Sequence, residues 1–404
     1  MFHLICAPFS AAERHGFTVM KSNRILQWLL FFFFLLILIV PIVTINTIQG
    51  KVSKSENRVL TSFPQLFDED GRLKDNAQKE FTSFLEDNIG MRDQLIGLYS
   101  AIQYTIFHQS PSTNVEIGKD GWLYYTAGNN MNIADGNFPL TEEMLDSIKE
   151  NLTQLSDYCK SIGTELVLVL PSSKVGIYPE YVRGGDYSIR ETPSQILAKY
   201  LEENTDLKVI CLKEALLQHK DEGELLYFKQ DTHWNFQGAY IGYKEIICQL
   251  KDWGLLQDDP VDVSFYDSYY QGDLAAMMGN DVLFPGESIL QSNINKPSAQ
   301  RIMDENALSE LHDLQLQYNA YATRYLYENK EKAAAPSMLV YGDSMFASWE
   351  VTQLLAEHTS TLNFFWWVQM GEFVDGFTPA VLSKTAPDIF ILEVGERDIN
   401  LLAS

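Results

Sequence analysis

Two short stretches of this chain carry residue types that together do acyl-transfer chemistry. In Lys229-Gln230-Asp231-Thr232-His233-Trp234 an aspartate and a histidine stand two residues apart. Farther on, Tyr341-Gly342-Asp343-Ser344 sets a serine after the apolar run Met338-Leu339-Val340 and before a predicted helix. A serine hydroxyl is a poor nucleophile near neutral pH and needs a base within hydrogen-bond reach. Histidine suits that task, and a carboxylate fixes its tautomer and stabilises the imidazolium that forms. A serine that opens a helix gains free backbone N–H groups and the positive helix end, which favour an oxyanion. Taken singly, each piece is ordinary. Gly-Asp-Ser is common in turns, with the serine as a helix N-cap, and Asp-x-His is more often a turn or surface pair.

The elements around these stretches decide whether they meet. Leu145, Ile148, Leu152, Leu155 and Cys159 repeat at helical spacing after a Thr141-x-x-Met start. Glu165–Leu170 then reads as a buried strand stopped by Pro171. A helix near 194–204, strands at 207–212 and 225–228 and a helix over 235–250 follow. A strand at 338–341, a helix after Ser344 and strands at 364–368 and 388–394 close the chain. Apolar strands alternating with helices predict a mostly parallel sheet flanked by helices, an α/β fold. Active sites in such sheets lie beyond the carboxyl ends of the strands, which is where Asp231, His233 and Ser344 are predicted. Earlier in the chain, Phe81, Phe84 and Leu85 share one helical face, and Leu95, Leu98, Tyr99, Ile102 and Ile106 share another. Ile117–Tyr124 reads as a hairpin with its turn at Lys119-Asp120-Gly121. The stretch 251–335 reads as an irregular polar insert that lids the cleft or is ordinary loop.

From Ile25 to Ile45 the chain is almost continuously apolar, long enough at ~1.5 Å per residue to span a ~30 Å hydrocarbon layer. No Ala-x-Ala pattern follows, so an uncleaved anchor is expected rather than a signal peptide. Arg14, Lys21 and Arg24 on one side face Lys51, Lys54 and Arg58 on the other, so flanking charge barely sets orientation. A short tail before the span and a large domain after it suit export of the C-terminal part. Met20-Lys21-Ser22-Asn23-Arg24 also has the form of a start. The net charge of −24 argues against a nucleic-acid partner, whose phosphates would be repelled. Cys159, Cys211 and Cys248, the cysteines beyond the anchor, are too few and odd in number for a disulfide framework. Around Asp231 and His233 no second ligand pair such as His-x-x-x-His appears, so no metal and no cofactor are expected.

Asp231-Thr232-His233-Trp234 with Gly238-Ala239, and then Gly342-Asp343-Ser344, resembles the alginate O-acetyltransferase family (AlgJ/AlgX-like, SGNH-hydrolase-like) and its DHHW-protein relatives. Further agreeing blocks are Ser55-Glu56-Asn57-Arg58, Asp87-Asn88-Ile89-Gly90-Met91-Arg92, and Gly118-Lys119-Asp120-Gly121-Trp122-Leu123. Pro171-Ser172-Ser173-Lys174, Tyr178-Pro179-Glu180, Gly272-Asp273-Leu274 and Pro387-Asp388…Glu393-x-x-Glu396-Arg397 complete the set. The resemblance implies an SGNH-like domain with Asp231, His233 and Ser344 as catalytic triad, in an order permuted from ordinary SGNH hydrolases. Thr232 stands where the DHHW relatives have histidine. Met345 separates Ser344 from Phe346, and no Gly-x-Asn-Asp block supplies the usual side-chain oxyanion donor. Gly395-Glu396-Arg397-Asp398 sits at a comparable strand end, where Arg397 contacts substrate or pairs with a carboxylate. Trp122, Trp234, Trp366 and Trp367 are candidate sugar platforms, with core packing as the alternative.

These readings divide the chain into a cytoplasmic tail (1–24), an anchor (25–45), an extracytoplasmic connector (46–135) and a catalytic domain (136–404) with 251–335 inserted. The function expected is a membrane-anchored extracytoplasmic O-acetyltransferase that passes acetyl from Ser344 to a cell-surface polysaccharide. The resemblance implies a separate membrane-bound O-acyltransferase as acyl donor. A carbohydrate acetyl esterase would use the same triad, and a non-catalytic envelope scaffold would need none of it.

Overall fold

A computed structural model describes residues 24–46, 52–53, 58–68, 70–184, 187–188, 190–303, 311, 324–366 and 377–403. The chain divides into two compact units, Met1–Leu95 and Ile96–Ser404. In chain order the strands are β1 (Val52–Ser53), β2 (Arg58–Val59), β3 (Val115–Ile117), β4 (Leu123–Tyr125), β5 (Glu165–Leu170), β6 (Lys208–Cys211) and β7 (Val263–Tyr270). Then come β8 (Glu287–Ile294), β9 (Gln300–Arg301), β10 (Arg324–Glu328), β11 (Met338–Gly342), β12 (Thr361–Trp366) and β13 (Ile389–Glu393).

In the first unit the Arg24–Val43 helix is long and apolar enough to cross a membrane, a property that anchors and signal sequences share. The Ala77–Asn88 helix is tied to the preceding segment through Asp87, which accepts from the amide and hydroxyl of Thr61 at 2.8 and 2.6 Å. Phe84 packs edge-on against Phe63, whereas Phe81 and Leu85 remain partly exposed.

The second unit is organised by a seven-stranded sheet in the order β6-β5-β13-β11-β12-β10-β9. Pairings from β6 through β12 are parallel, and the two outer pairings, β12–β10 and β10–β9, are antiparallel. Apolar residues at successive positions let a strand bury both faces. Val167, Val169, Val340, Ile389 and Ile391 enter one core, while Leu166, Leu168, Leu339, Phe390 and Leu392 enter the other. The Phe236–Asp252 and Val351–Ala356 helices cover the first face; Glu142–Ser161 and Pro193–Asn204 cover the second. Thr141 caps Glu142–Ser161 by accepting from the Met144 amide. The hairpin β3–β4 turns through Asp120 and Gly121, both at positive φ, and it belongs to this second unit. The expected α/β fold, a mostly parallel sheet flanked by helices, is present.

Three expectations need correction. Residues 225–228 are not a strand of the sheet; only Tyr227 bridges, and its partner is Trp234. A short apolar run fits a buried turn as well as a strand. The helix after Ser344 is broken into Ser344–Ala347 and Val351–Ala356 by Trp349 and Glu350, both in the left-handed region. Among its described residues the insert is not irregular: β7 and β8 pair antiparallel along eight residues each, and the short Asp273–Met277 helix lies between them. Trp367 and Val368, taken as the end of a strand, lie outside the described residues, whereas β12 reaches Trp366.

Leu168 is fully buried at the centre of the second core. Leu168→Ala is expected to lower stability by about 2–5 kcal/mol, read as a lower midpoint of urea unfolding.

Candidate active site

The base loop starts from a tight reversal. Tyr227 bridges Trp234, and the Asn235 amide donates to the Leu226 carbonyl at 2.9 Å. Asn235 caps the Phe236–Asp252 helix, accepting from the amides of Gln237 and Gly238. Residues 229–233 arch out between these ties and are held from several sides. The Glu287 carboxylate accepts from the amides of Lys229 and Gln230 at 3.0 and 2.9 Å. Asp273 accepts from the Thr232 amide and hydroxyl, both at 2.8 Å. A Cβ on Gly272 would lie 2.1 Å from the Gln230 carbonyl, so this approach requires glycine.

Asp231 is fully buried. Its Oδ1 accepts from the His233 amide at 2.9 Å and from His233 Nδ1 at 2.6 Å. Oδ2 accepts from the Tyr270 hydroxyl at 3.0 Å and the Asp273 amide at 2.8 Å. Burial opposes the charged form, but the His233 ring outweighs it, and the Asp273 amide adds to this, holding the carboxyl well below its usual range. An ionised carboxylate only accepts, so Nδ1 carries the proton and Nε2 is left as an acceptor. Nε2 lies 2.6 Å from Ser344 Oγ. For His233, burial disfavours the imidazolium, yet the adjoining Asp231 carboxylate prevails and raises the pKa above 6.5. For Asp273, burial and then the Asp231 charge push the carboxyl up.

Ser344 follows β11 at the carboxyl end of the parallel strands. The Asp343 side chain, not Ser344, is the cap here: it accepts from the Met345 amide at 2.6 Å. The Asp343 amide donates at 2.7 Å to Glu393, a fully buried carboxyl on β13 whose pKa burial, then the Asp343 charge, drives well upward. Next along, buried Glu396 accepts from the Ser173 amide (2.8 Å) and from the hydroxyls of Ser172 (3.3 Å), Ser173 (2.6 Å) and Ser194 (2.5 Å). Two carboxyls from one strand end thus brace the serine turn and the Ser172–Lys174 segment.

A cleft opens over these groups, lined by Ser344, His233, Thr232, Lys174, Tyr125 and Arg397, among others. Arg397 Nε donates to Asp398 at 3.1 Å, and the side chain also borders the cleft, so both expected roles are geometrically open to it. Trp366 is half-buried and lines an adjoining recess with Ser344. Trp122 and Trp234 correct the sugar-platform expectation, because both are fully buried. Trp122 is sandwiched among Tyr124, Tyr178 and Tyr181. Trp234 donates from Nε1 to the Met345 carbonyl at 3.1 Å, tying the base loop to the serine turn. Oxygens of Asp231 and Asp273 and a ring nitrogen of His233 lie within 4.8 Å of one another. Those oxygens already accept from N–H and O–H donors, and His233 Nε2 is engaged by Ser344, so the set is built as a hydrogen-bond network rather than a cation cage. Tyr270 and Glu287 were missed by motif reading. Asp273, Lys174, Glu393 and Glu396 stood inside resembling blocks, with no role assigned.

A Cβ on Gly342 would meet Glu393 Oε2 at 2.8 Å and the Phe364 ring at 3.1 Å, so the Glu393 carboxyl that accepts from the Asp343 amide would have to shift. Gly342→Ala is therefore expected to displace the serine turn and cut labelling of Ser344 by a fluorophosphonate probe at least tenfold, about 1.4 kcal/mol of misplacement.

Residues 115–312 match the family model described as SGNH hydrolase-like domain, acetyltransferase AlgX. That stretch contains Asp231 and His233 and ends before Ser344. A probable alginate O-acetylase AlgJ of Pseudomonas fluorescens is 26% identical over 197 residues, 46% of each chain. The corresponding protein of Pseudomonas syringae pv. tomato is 23% identical over 221 residues, 52% of each. The chain thus spans about half the length of the curated relatives it matches. Among solved structures, the O-acetyltransferase domain of Pseudomonas putida AlgJ aligns with a TM-score of 0.48 at 17% identity, covering 71% of this chain and 92% of that one. The chain is an SGNH-hydrolase-like α/β protein that resembles the alginate O-acetyltransferase family, as its motifs imply.

Proposed function

We propose that the chain is a membrane-anchored extracytoplasmic O-acetyltransferase acting on a cell-surface polysaccharide, with Ser344 as nucleophile, His233 as general base and acid, and Asp231 as its orienter. The observation that carries this reading is the unbroken hydrogen-bond chain Asp231 Oδ1–His233 Nδ1 and His233 Nε2–Ser344 Oγ, 2.6 Å at each link. Ser344 Oγ attacks the acetyl carbonyl while its proton passes to His233 Nε2. The tetrahedral intermediate collapses, His233 returns the proton to the departing oxygen, and acetyl remains on Ser344. A sugar hydroxyl then gives its proton to His233, attacks the acetyl-serine, and leaves as the acetyl ester with Ser344 restored. The Ser344 amide, which has no partner among the described contacts, is available to the oxyanion. The Arg24–Val43 helix, read as an anchor, would keep this site beside a membrane-bound O-acyltransferase that delivers the acyl group.

Transfer requires that an acceptor hydroxyl outcompete water. Incubation of the protein with an acetyl ester, with and without an acidic oligosaccharide, is expected to give acetylated sugar only where the acceptor is present. Acetate alone in both tubes would identify an esterase. Ser344→Ala retaining full turnover or full acetylation of the polysaccharide would leave a scaffold role.

The base must be neutral to accept the serine proton, and the His233 pKa is raised. The acid limb of kcat/KM is therefore expected above pH 6.5, with activity rising through it as pH increases. Asp231→Asn removes what holds that pKa up, so the limb should move to lower pH while turnover drops about 10⁴-fold.

A further inference from the structure

We propose that Lys174 is the positioning residue of the base loop: its ammonium, held on three main-chain carbonyls, occupies the place of a structural cation and fixes the turn that aims His233 at Ser344. The inference rests on reading Asp231, His233 and Ser344 as the reacting groups.

Lys174 Nζ donates to the carbonyls of Leu123 at 2.6 Å, Lys229 at 2.8 Å and Asp231 at 2.8 Å. An ammonium has three N–H donors, and each has its own acceptor. Two of the carbonyls flank Gln230 at the top of the base loop; the third lies on β4. The head sits 5.1 Å from the ring centres of both Trp122 and Tyr124, whose faces favour a cation. Lysine is almost never fully buried unless paired, yet Lys174 is buried and makes no ion pair among the described residues. Burial pushes the Lys174 ammonium pKa down to about 7, opposed by the nearby Asp231, Glu287 and Asp273 charges, while the carbonyls it bonds come from two segments that it thereby joins. The stem comes from the short Lys174–Ile177 helix, whose cap Ser173 is fastened by amide and hydroxyl to Glu396. A rigid strand end thus reaches through one side chain to the loop that carries the base.

Without the ammonium, the Asp231 carbonyl would lose its described donor, and the Lys229 carbonyl would keep only the Leu123 amide, at 2.8 Å. The loop would relax, and a displacement of ~1 Å at His233 costs about 100-fold in rate. Lys174 borders the same cleft as Ser344, so a small amine can reach the space it vacates.

The test compares wild type, Lys174→Met, Lys174→Ala and the core control Val175→Ala. The first readout needs no activity: the downfield proton resonance of the His233 Nδ1–H bond to Asp231, identified by its loss in His233→Ala. It should be lost or broadened in Lys174→Met and kept in Val175→Ala. In turnover of an acetyl ester, Lys174→Met should lose about 100-fold in kcat with KM little changed. Ethylammonium should recover part of the activity of Lys174→Ala, whereas tetramethylammonium, a cation without N–H donors, should not. An unchanged resonance, wild-type kcat in Lys174→Met, or equal rescue by both cations would overturn the proposal. A wild type that keeps the resonance, loses it in Lys174→Met and yet shows no serine-dependent turnover would leave the positioning role standing and remove the transferase reading. Should the Lys174 variants not fold, ¹⁵N-lysine spectra of the wild type carry the test. One slowly exchanging ammonium signal, shifted by Asp231→Asn, is expected, and its absence overturns the proposal.

Discussion

The second unit's chemistry hangs on one buried anion. Asp231 has no exposed surface, and an isolated carboxylate in such a place would take up a proton rather than stay charged. It stays charged because four donors converge on it: two from His233, one from Tyr270 and one from the Asp273 amide. Those donors belong to the base loop, the β7 strand and the start of the Asp273–Met277 helix. The ribbon between β7 and β8 is therefore part of the site's frame, since it carries Tyr270 and Glu287, both of which grip the loop. Burial of Asp231 and alignment of His233 are one event, because the same Oδ1 receives both the amide and the ring nitrogen of His233.

The serine half is built by a different device. Parallel pairing of β11 between β12 and β13 brings Gly342 and Glu393 side by side at the carboxyl edge of the sheet. Glu393 takes the Asp343 amide, and Asp343 takes the Met345 amide, so the turn around Ser344 is fixed on both sides. Three residues beyond Glu393, Glu396 gathers Ser172, Ser173 and Ser194. The two halves are then tied directly by Trp234, whose ring spans from the base loop to the Met345 carbonyl. A carboxylate–imidazole–hydroxyl chain at 2.6 Å per link is the consequence of these restraints acting together.

Much of this was legible in the sequence, for a physical reason in each case. Apolar runs such as Leu166–Leu170 fit strands covered on both faces, and their alternation with helical patterns made the α/β sheet readable. Asp231, His233 and Ser344 stood in short blocks whose residue types have a shared chemistry. The failures are equally instructive. Residues 225–228 are apolar because they pack in the core beneath a turn, and periodicity over so few residues cannot tell that from a strand. Asp267 and Ser268 interrupted the alternation in Val263–Tyr270, which hid an eight-residue ribbon. Trp122 and Trp234 were open to a sugar platform or to core packing, since indole suits both, and both rings fill the interior. The burial of Lys174 was invisible for the opposite reason: a lysine is expected in water, and nothing local announces three carbonyls contributed by residues 123, 229 and 231.

The proposed function requires that the hydroxyl of Ser344 become acylated, with His233 as the group that makes it reactive. The most direct measurement is peptide mapping by mass spectrometry after rapid acid quench of the protein mixed with an acetyl ester. One acetyl group is expected on the peptide bearing Ser344, assigned to that serine by fragmentation, and none when His233 is replaced by alanine. Acetyl found on another residue, or equal acetylation of Ser344 without His233, would contradict it.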